Sequence, residues 1–325
     1  MSIGSTVRLG IDIGGTKTAA VAIGDGGELS DQVRMPTGFG ADEVVATALR
    51  TIERMAELNG VGAFTSIGIG IPGAVDNETG RVAHAVNLGL EGLDLGPRLA
   101  DRLGIEVRVE NDVKAAALGA QHLLGLGLAG RATASGAADD VATAERSMAY
   151  LNLGTGLAAG IVQGGRLLRG GHGVAGEIGH IPVDPAGERC GCGQRGCLET
   201  FASGSAIART WPTVAELPAR ELFDAAEAGD AEAIRVRERF LRGVASAVRL
   251  LVLTADVDDV VIGGGLAALG GPLVDGTRRI LNEWSADSAF LASLDLAERV
   301  QVIPLGFPAA AVGAALVGVA QWQKS

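Results

Sequence analysis

The sequence predicts an α/β protein of two domains. Its 325 residues exceed the size of one average domain, and the same pattern of apolar strands separated by glycine-rich turns occurs at residues 7–35 and again from residue 148. Each repeat is followed by alternating helical and strand patterns, an order typical of α/β domains. Two such domains predict a cleft between them that can hold a small ligand.

The first half is predicted to begin with three strands and a helix. The strands lie within residues 7–35, and apolar residues at helical spacing predict the helix over residues 41–58. The segment from Ser66 then predicts a buried strand that ends at Pro72, because proline removes a backbone donor. A polar hairpin near residues 76–81, a short helix near residues 96–103 and the strand IEVRVE follow.

The second half is predicted to carry the additional helices. Residues 125–145 are rich in Ala, Gly, Ser, Thr and Asp, which predicts a mobile connection or a weak helix between the halves. After the repeated strands, residues 203–255 are mostly helical in period. A strand that ends in three glycines, a helix near residues 272–284, the strand VQVIP and an Ala-rich helix from Pro308 complete the chain.

Composition and charge exclude several function classes. The formal net charge is −11 and the chain contains only 3% aromatic residues, which disfavours binding to nucleic acid or to an anionic membrane. There is no apolar run long enough for a membrane span and no signal-peptide pattern, so the expected location is the cytoplasm. Three cysteines within eight positions are too crowded, and odd in number, for a disulfide framework, which favours a metal or redox site in a reducing compartment.

Three glycine turns favour a nucleotide site. DIGGTKT (residues 12–18) and GTG (residues 154–156) each join two apolar strands, and unhindered backbone N–H groups in such turns can approach phosphate oxygens. GGG (residues 263–265) ends a strand and opens a helix, which leaves room for a nucleoside. DIGGTKT alone would favour an ordinary hairpin turn, but the three glycine turns together favour a nucleotide cleft.

Asn111 and Asp112 follow a predicted strand and begin a helix. Such junctions lie at the carboxyl ends of strands, where open α/β sheets bind their ligands. Both residue types are also favoured helix N-caps, so a purely structural role is the alternative. With Glu110 beside them, the acidic and amide groups exceed what one cap requires.

His180 and the three cysteines predict a zinc site. Cys190, Cys192 and Cys197 all lie within 17 positions of His180, and one imidazole with three thiolates is a donor set suited to a closed tetrahedral zinc ion. The alternatives are a histidine without a ligand and a cluster of free thiols. Glu177 and Glu199 flank the segment, and nothing in their own spacing distinguishes them from solvated surface charges.

The motifs AGEIGH, CGCGQRGCLE and DIGGTKT together resemble the ROK family of sugar kinases and repressors, most closely its bacterial zinc-containing glucokinases. The resemblance extends from Asp12 to Ala268 and the element order agrees over nearly the full length. It implies an actin-like ATPase (ribonuclease H-like) fold with an interdomain cleft. The implied small domain comprises residues 1–124 and 308–325, and the implied large domain comprises residues 125–307, with the zinc loop and the extra helices.

The resemblance also implies site residues, cofactors and partners. Asp112 is the implied catalytic base, and ATP, Mg²⁺ and structural Zn²⁺ are the implied cofactors. The residues implied to bind the sugar are Gly73, Asn111, Asp112, Glu177, His180 and Glu199. The residues implied to bind ATP are Asp12, Gly14, Gly15, Thr16, Lys17, Gly154, Thr155, Gly156, Gly264 and Gly265. A homodimer or homotetramer is the implied assembly, with hexose and ATP as the small-molecule partners.

These features predict an ATP-dependent hexose kinase, foremost a glucokinase that forms the 6-phosphate. An N-acetylhexosamine kinase (for N-acetylglucosamine or N-acetylmannosamine) is the alternative within the class, and no motif separates the two. A sugar-responsive repressor is disfavoured because only 11 residues precede Asp12, too few for a helix-turn-helix domain. A non-catalytic sugar-sensing protein is disfavoured by the presence of Asp112 and both phosphate turns.

Overall fold

The computed structural model describes residues 7–24, 27–30, 32–60, 64–125 and 146–318. The chain divides into two compact units. Among the described residues, the first unit holds those up to 125 together with 164–174 and 308–318, and the second holds 146–163 and 175–307. No described helix has the length and apolar character needed to cross a membrane. The connection predicted at residues 125–145 lies outside the described residues, apart from Gly125 itself.

The first unit is built on a five-stranded sheet with the order β3-β2-β1-β4-β8. The first three strands pair antiparallel, as their short turns require, while β4 and β8 run parallel to β1. Its strands are β1 (Arg8–Ile13), β2 (Lys17–Ile23), β3 (Val33–Pro36), β4 (Ser66–Ile71) and β8 (Val107–Asn111). The centre of the sheet is apolar on both faces because β1, β2 and β4 are almost wholly buried.

A second, three-stranded sheet and three helices complete this part of the first unit. The small antiparallel sheet is formed by β5 (Ala74–Asp76), β6 (Arg81–Ala85) and β7 (Leu90–Asp94). The helices are α1 (Ala41–Asn59), α2 (Leu95–Leu103) and α3 (Asp112–Leu123). Helix α3 follows β8 without a connecting residue, so its first turn lies at the carboxyl end of the parallel strands.

The C-terminal helix α9 (Ala309–Val317) packs into the first unit through backbone contacts. Seven of its nine residues are Ala, Gly or Val at buried positions, and it contacts β1, β4 and α3. The contact with α3 leaves no room for a side chain: a Cβ on Gly313 would lie 1.6 Å from the Ala115 carbonyl oxygen. Small residues therefore determine how α9 fits onto the sheet and α3.

The second unit carries strands in the order β10-β9-β12-β13. Strands β9 (Met148–Leu153) and β10 (Leu157–Gln163) pair antiparallel, and β12 (Asp259–Gly263) lies parallel to both β9 and β13 (Val300–Val302). The short strand β11 (Arg166–Leu167) follows β10 in the chain. The order of β9, β10 and β12 repeats that of β1, β2 and β4 in the first unit.

Helices surround the sheet of the second unit and bury its core. They are α4 (Gly204–Thr210), α5 (Pro218–Glu227), α6 (Ala231–Ala255), α7 (Gly271–Ala286) and α8 (Ala289–Ala292). Phe223 and Phe240 meet edge to face in this core, with ring centroids 6.2 Å apart. The predicted α/β class is confirmed, and so is the helical character of residues 203–255, which resolve into α4, α5 and α6.

Candidate functional site

The first glycine turn, at residues 14–17, lies between β1 and β2 and is open to solvent. Gly15, Thr16 and Lys17 are exposed, and the turn is closed by a hydrogen bond from Gly14 N to the Lys17 carbonyl oxygen at 2.9 Å. A Cβ on Gly14 would lie 3.1 Å from that same oxygen. The backbone N–H groups of the exposed residues are therefore accessible to an anionic ligand.

Asp12 is the penultimate residue of β1, beside this turn. Burial, and after it the negative charge of Asp112, raise the pKa of the Asp12 carboxyl from 3.8 to about 7, while the Lys17 ammonium lowers it. Two predicted site residues, Asp12 from the first strand and Asp112 from α3, are thus brought close enough for their charges to interact. A desolvated carboxyl beside a second carboxylate favours the approach of a cation.

The raised pKa of Asp12 has a consequence for stability. Between pH 4 and pH 7 the folded protein retains a proton on Asp12 that the unfolded chain releases, so the free energy of unfolding should decrease as the pH rises through this range. Asp12→Asn removes that dependence, and we expect it to raise the melting temperature at pH 8 and to leave it nearly unchanged at pH 4. Melting curves of the ligand-free protein across this range test the prediction, and parallel pH profiles for both proteins would contradict it.

Asn111 caps α3 and also contacts the Gly73 turn. Its side-chain Oδ1 accepts hydrogen bonds from the N–H groups of Val113 and Lys114 at 3.1 and 3.2 Å, and its Nδ2 donates to the Gly73 carbonyl oxygen at 3.2 Å. Asp112 is the first residue of α3, and its Oδ1 accepts from Val113 N at 2.9 Å. Asn111 therefore does act as the N-cap of α3, which was the structural alternative. The Gly73 contact uses one amide hydrogen, and the other is available for a substrate hydroxyl.

Lys114 and Arg169, which the sequence did not single out, also lie at this helix start. Glu110 is almost fully buried and accepts hydrogen bonds from Arg169, and the buried Lys114 donates to the Gly173 carbonyl oxygen. Arg169 is separated from Glu110 by 59 positions in sequence, so spacing alone could not pair them. The signal available in the sequence was the pair of charged residues Glu110 and Lys114 on either side of Asn111 and Asp112.

In the second unit, hydrogen bonds hold the second glycine turn, residues 154–156, in place. Gly154 N donates to the Gly156 carbonyl oxygen at 3.0 Å, and the Gly154 carbonyl oxygen accepts from Gly204 N, at the start of α4, at 2.8 Å. Glu199 accepts from Leu157 N at 2.9 Å, and a Cβ on Gly156 would lie 2.4 Å from the Glu199 carboxylate. A side chain at position 156 would therefore have to displace the Glu199 carboxylate.

The second and third glycine turns line one cavity of about 590 Å³ within the second unit. Its walls include Gly154, Thr155 and Gly265, together with α4 and the start of α5. Gly264 has φ +80°, a conformation that favours glycine, and its N–H donates to the Tyr150 hydroxyl at 3.1 Å. A cavity of this size with exposed turn backbone suits a nucleoside with its phosphates.

The AGEIGH segment lies tightly against β10. A Cβ on Gly176 would lie 1.9 Å from the Ala159 carbonyl oxygen, and one on Gly179 would lie 2.0 Å from that of Leu157. These close approaches place Glu177 as an exposed carboxylate before a short 3₁₀ helix that ends at His180. The 3₁₀ helix contacts a second one, Leu198–Thr200, which carries Glu199.

His180, Cys190, Cys192 and Cys197 converge in the second unit. Their ligand atoms all lie within 4.8 Å of one another, with 3.7 Å between the sulfurs of Cys192 and Cys197 and 3.8 Å between Cys190 Sγ and His180 Nδ1. A tetrahedral zinc ion with bonds of about 2.3 Å to sulfur separates two sulfur ligands by about 3.8 Å. The donor set and its spacing therefore fit zinc.

The predicted residues thus form separate groups within the two units. In the first unit, Asp112 lies near Asp12, and Asn111 contacts Gly73. In the second unit, Glu199 contacts Leu157, the residue after the turn of residues 154–156, and that turn lines the same cavity as Gly265. The described cysteines belong to one cluster with His180.

Comparison with known proteins extends these observations. A model of the ROK family matches residues 8–318. A glucokinase of Halalkalibacterium halodurans is 32% identical over 287 residues, which cover 82% of this chain and 82% of the relative. An N-acetylmannosamine kinase of Citrobacter koseri is 35% identical over 269 residues, 82% of this chain and 85% of the relative. A solved structure is also similar: the crystal structure of a ROK family glucokinase from Streptomyces griseus in complex with glucose and AMPPNP. It is 29% identical with a TM-score of 0.73, and the match covers 96% of this chain and 99% of the Streptomyces griseus chain.

Proposed function

Since the chain belongs to the ROK family, we propose that it is an ATP-dependent glucokinase that transfers the γ-phosphoryl group to the 6-hydroxyl of glucose. Its fold is the actin-like ATPase fold of that family. The observation that carries the proposal is the carboxylate of Asp112 at the start of α3, near Asp12 and the open turn of residues 14–17 in the same unit. A proton acceptor and a phosphate turn are the parts that phosphoryl transfer to a hydroxyl requires.

Asp112 serves as the general base in this proposal. It accepts the proton of the attacking hydroxyl while the hydroxyl oxygen bonds to phosphorus and the bond to the leaving ADP oxygen breaks. The backbone N–H groups of the phosphate turns hold the charge of the transferring group in place. The cavity beside Gly265 accepts the adenosine, and Asn111 directs its remaining amide hydrogen to a sugar hydroxyl.

Asp12 fits a role in holding Mg²⁺. Its carboxyl is desolvated and lies near a second carboxylate, so a divalent cation would favour the ionised form that burial disfavours. Bound there with ATP, the ion supplies neutralisation of phosphate charge. Lys17 also favours the ionised form, because its positive charge lowers the pKa of Asp12, and it adds positive charge at the turn.

A structural zinc ion belongs to the same proposal. Bound through Nδ1, His180 keeps Nε2 free to hydrogen-bond a sugar hydroxyl, so the ion would orient a sugar ligand as well as brace the loop. The ligand Cys197 directly precedes the 3₁₀ helix that carries Glu199. Metal binding and sugar affinity are therefore expected to be coupled.

Cys192→Ser tests this coupling. Cys192 is exposed, so the substitution disturbs little besides the ligand set. We expect the variant to lose zinc from a 1:1 stoichiometry and to bind glucose at least about tenfold more weakly, since outer-shell and ligand changes at metal sites cost about that much. Metal analysis and glucose titration give both values. Zinc-free wild-type protein, or a variant with unchanged glucose affinity, would contradict the assignment.

The substrate is tested with a panel of hexoses and N-acetylhexosamines. A site that reads hydroxyls through carboxylates and an amide rejects an analogue lacking one of them by up to about 10⁴-fold, because buried polar groups are left unpaired. We expect glucose to be turned over far faster than its deoxy forms. The similarity to the N-acetylmannosamine kinase makes an N-acetylhexosamine kinase the second candidate, and a higher kcat/KM for such a sugar would select it.

Assembly and location form the remaining part of the proposal. We expect a homodimer or homotetramer in the cytoplasm, as the family resemblance implies. Light scattering of the purified protein measures the assembly directly, and a monomeric mass at micromolar concentration would contradict it.

A further inference from the structure

A short loop of the first unit contacts the residues around the start of α3 through both of the loop's ends. We call residues 169–173, with the sequence RGGHG, the strap. At one end Arg169 contacts Glu110, the penultimate residue of β8, and at the other the Gly173 carbonyl oxygen contacts Lys114, in the first turn of α3. The strap therefore spans the junction at which Asp112 lies.

The first tie is a buried, charge-assisted pair. Arg169 donates through Nε and through a terminal nitrogen to Glu110 Oε2, each at 2.7 Å. The Glu110 side chain is 3% exposed and that of Arg169 is 23% exposed. The positive charge of Arg169 therefore offsets the free-energy cost of burying the Glu110 carboxylate. The other oxygen, Oε1, accepts from the Asn111 N–H at 3.0 Å. Arg169 thus acts on the residue that caps α3.

The second tie uses a lysine at an unfavourable position. Lys114 is only 5% exposed and lies in the first turn of α3, where the helix dipole disfavours a cation. Its presence there is not explained by helix stability. Its Nζ instead donates to the Gly173 carbonyl oxygen. Gly173 has φ +73°, so the conformation that presents this carbonyl favours glycine.

The chain continues from the strap directly to a proposed sugar-binding residue. Glu177 follows Gly173 by four positions, and the chain passes from the first unit to the second after Val174. Because so few residues intervene, fixing Gly173 limits where the chain can enter the segment that carries Glu177.

We propose that Glu110, Lys114 and Arg169 are positioning residues for sugar phosphorylation, which fix the strap to the start of α3. The inference rests on the proposed kinase function. None of the three needs to touch the sugar: Glu110 and Arg169 act through Asn111, and Lys114 acts through Gly173. Loosening the strap should therefore weaken the use of sugar more than the binding of ATP, because its ties act on Asn111 and Gly173, whereas the cavity proposed for the adenosine lies in the other unit.

The test compares two buried carboxylates that are each paired with an arginine. Glu110→Gln removes the charge beside Arg169. Asp259→Asn is the matched control, since Asp259 is 3% exposed and accepts from Arg146 at 2.9 Å at the start of β12, in the second unit. For Glu110→Gln we expect the sugar KM to rise about tenfold, because losing a charge-assisted hydrogen bond typically has an effect of that size. The ATP KM should stay within about twofold of the wild-type value. For Asp259→Asn we expect a lower melting temperature with the sugar KM unchanged.

Milder variants keep the test decisive if Glu110→Gln does not fold. Arg169→Lys retains the charge but loses the second hydrogen bond, and Lys114→Met removes only the donor to Gly173. Each should raise the sugar KM. Lys114→Arg keeps a donor, so its sugar KM should lie between those of Lys114→Met and the wild type. Folded variants with lower melting temperatures but wild-type sugar KM would overturn the inference. If the wild-type protein phosphorylates no sugar of the panel, the proposed function itself fails, and the inference fails with it.

Discussion

Replacing Asp112 by Asn is expected to lower kcat by roughly 10²- to 10⁴-fold, the usual contribution of a general base. Asparagine keeps the size of the side chain and can still hydrogen-bond a hydroxyl, but it cannot accept the proton that the hydroxyl releases as it attacks phosphorus. Sugar affinity should therefore change much less than kcat. Measuring kcat and the glucose Kd of this variant separates the loss of chemistry from the loss of binding.

The structure allows a purely structural effect to be separated from this prediction. Asn111 already supplies the cap of α3 through its contacts to Val113 and Lys114, so Asp112→Asn leaves the helix start intact. Asn111→Ser is the matched control, because serine is also a good cap but lacks the amide that donates to Gly73. The control should weaken sugar binding more than it lowers kcat. A kcat of Asp112→Asn within about twofold of wild type would end the catalytic assignment.

Short-range patterns were enough to predict most of the secondary structure. Alternation and helical spacing of apolar residues identify β1, β4 and α1, and glycine turns mark the ends of strands that approach a ligand. The cluster of His180 with the cysteines was also predictable, because three of its members are crowded within eight positions and the donor types themselves suggest a metal. In each case the signal lies within a few neighbouring residues.

Contacts between distant segments could not be predicted in this way. Glu110 and Arg169 are 59 positions apart, and a glutamate in a sequence gives no sign of whether it will be buried. The pattern could not decide between cap and ligand for Asn111 because the residue types suited to the two roles are the same. Likewise, the single glycine of α9, Gly313, carries no sequence signal that distinguishes a close helix crossing from an ordinary turn glycine.

Gly313→Val is expected to destabilise the first unit strongly. The Cβ would lie 1.6 Å from the Ala115 carbonyl oxygen and 2.8 Å from the Gly119 nitrogen, both of them backbone atoms of α3. Backbone cannot move aside as a side chain can, so α9 would have to separate from α3, and with it from β1 and β4. Overpacking usually costs about 1–3 kcal/mol, and a clash with backbone on this scale exceeds that range.

A second helical glycine provides the control that makes this prediction specific. Gly276 lies inside α7, and a Cβ there would meet only the side chain of Leu241, at 2.6 Å. Because leucine can change rotamer, Gly276→Ala should alter the melting temperature by a few degrees at most, with the gain in helix propensity partly offsetting the crowding. Gly313→Val should instead lower the melting temperature by more than about 10 °C or prevent soluble expression, since 1 kcal/mol corresponds to roughly 2–4 °C in a domain of this size. Equal melting temperatures for the two variants would show that α9 can shift on α3, and that small residues are not what holds the C-terminal helix in place.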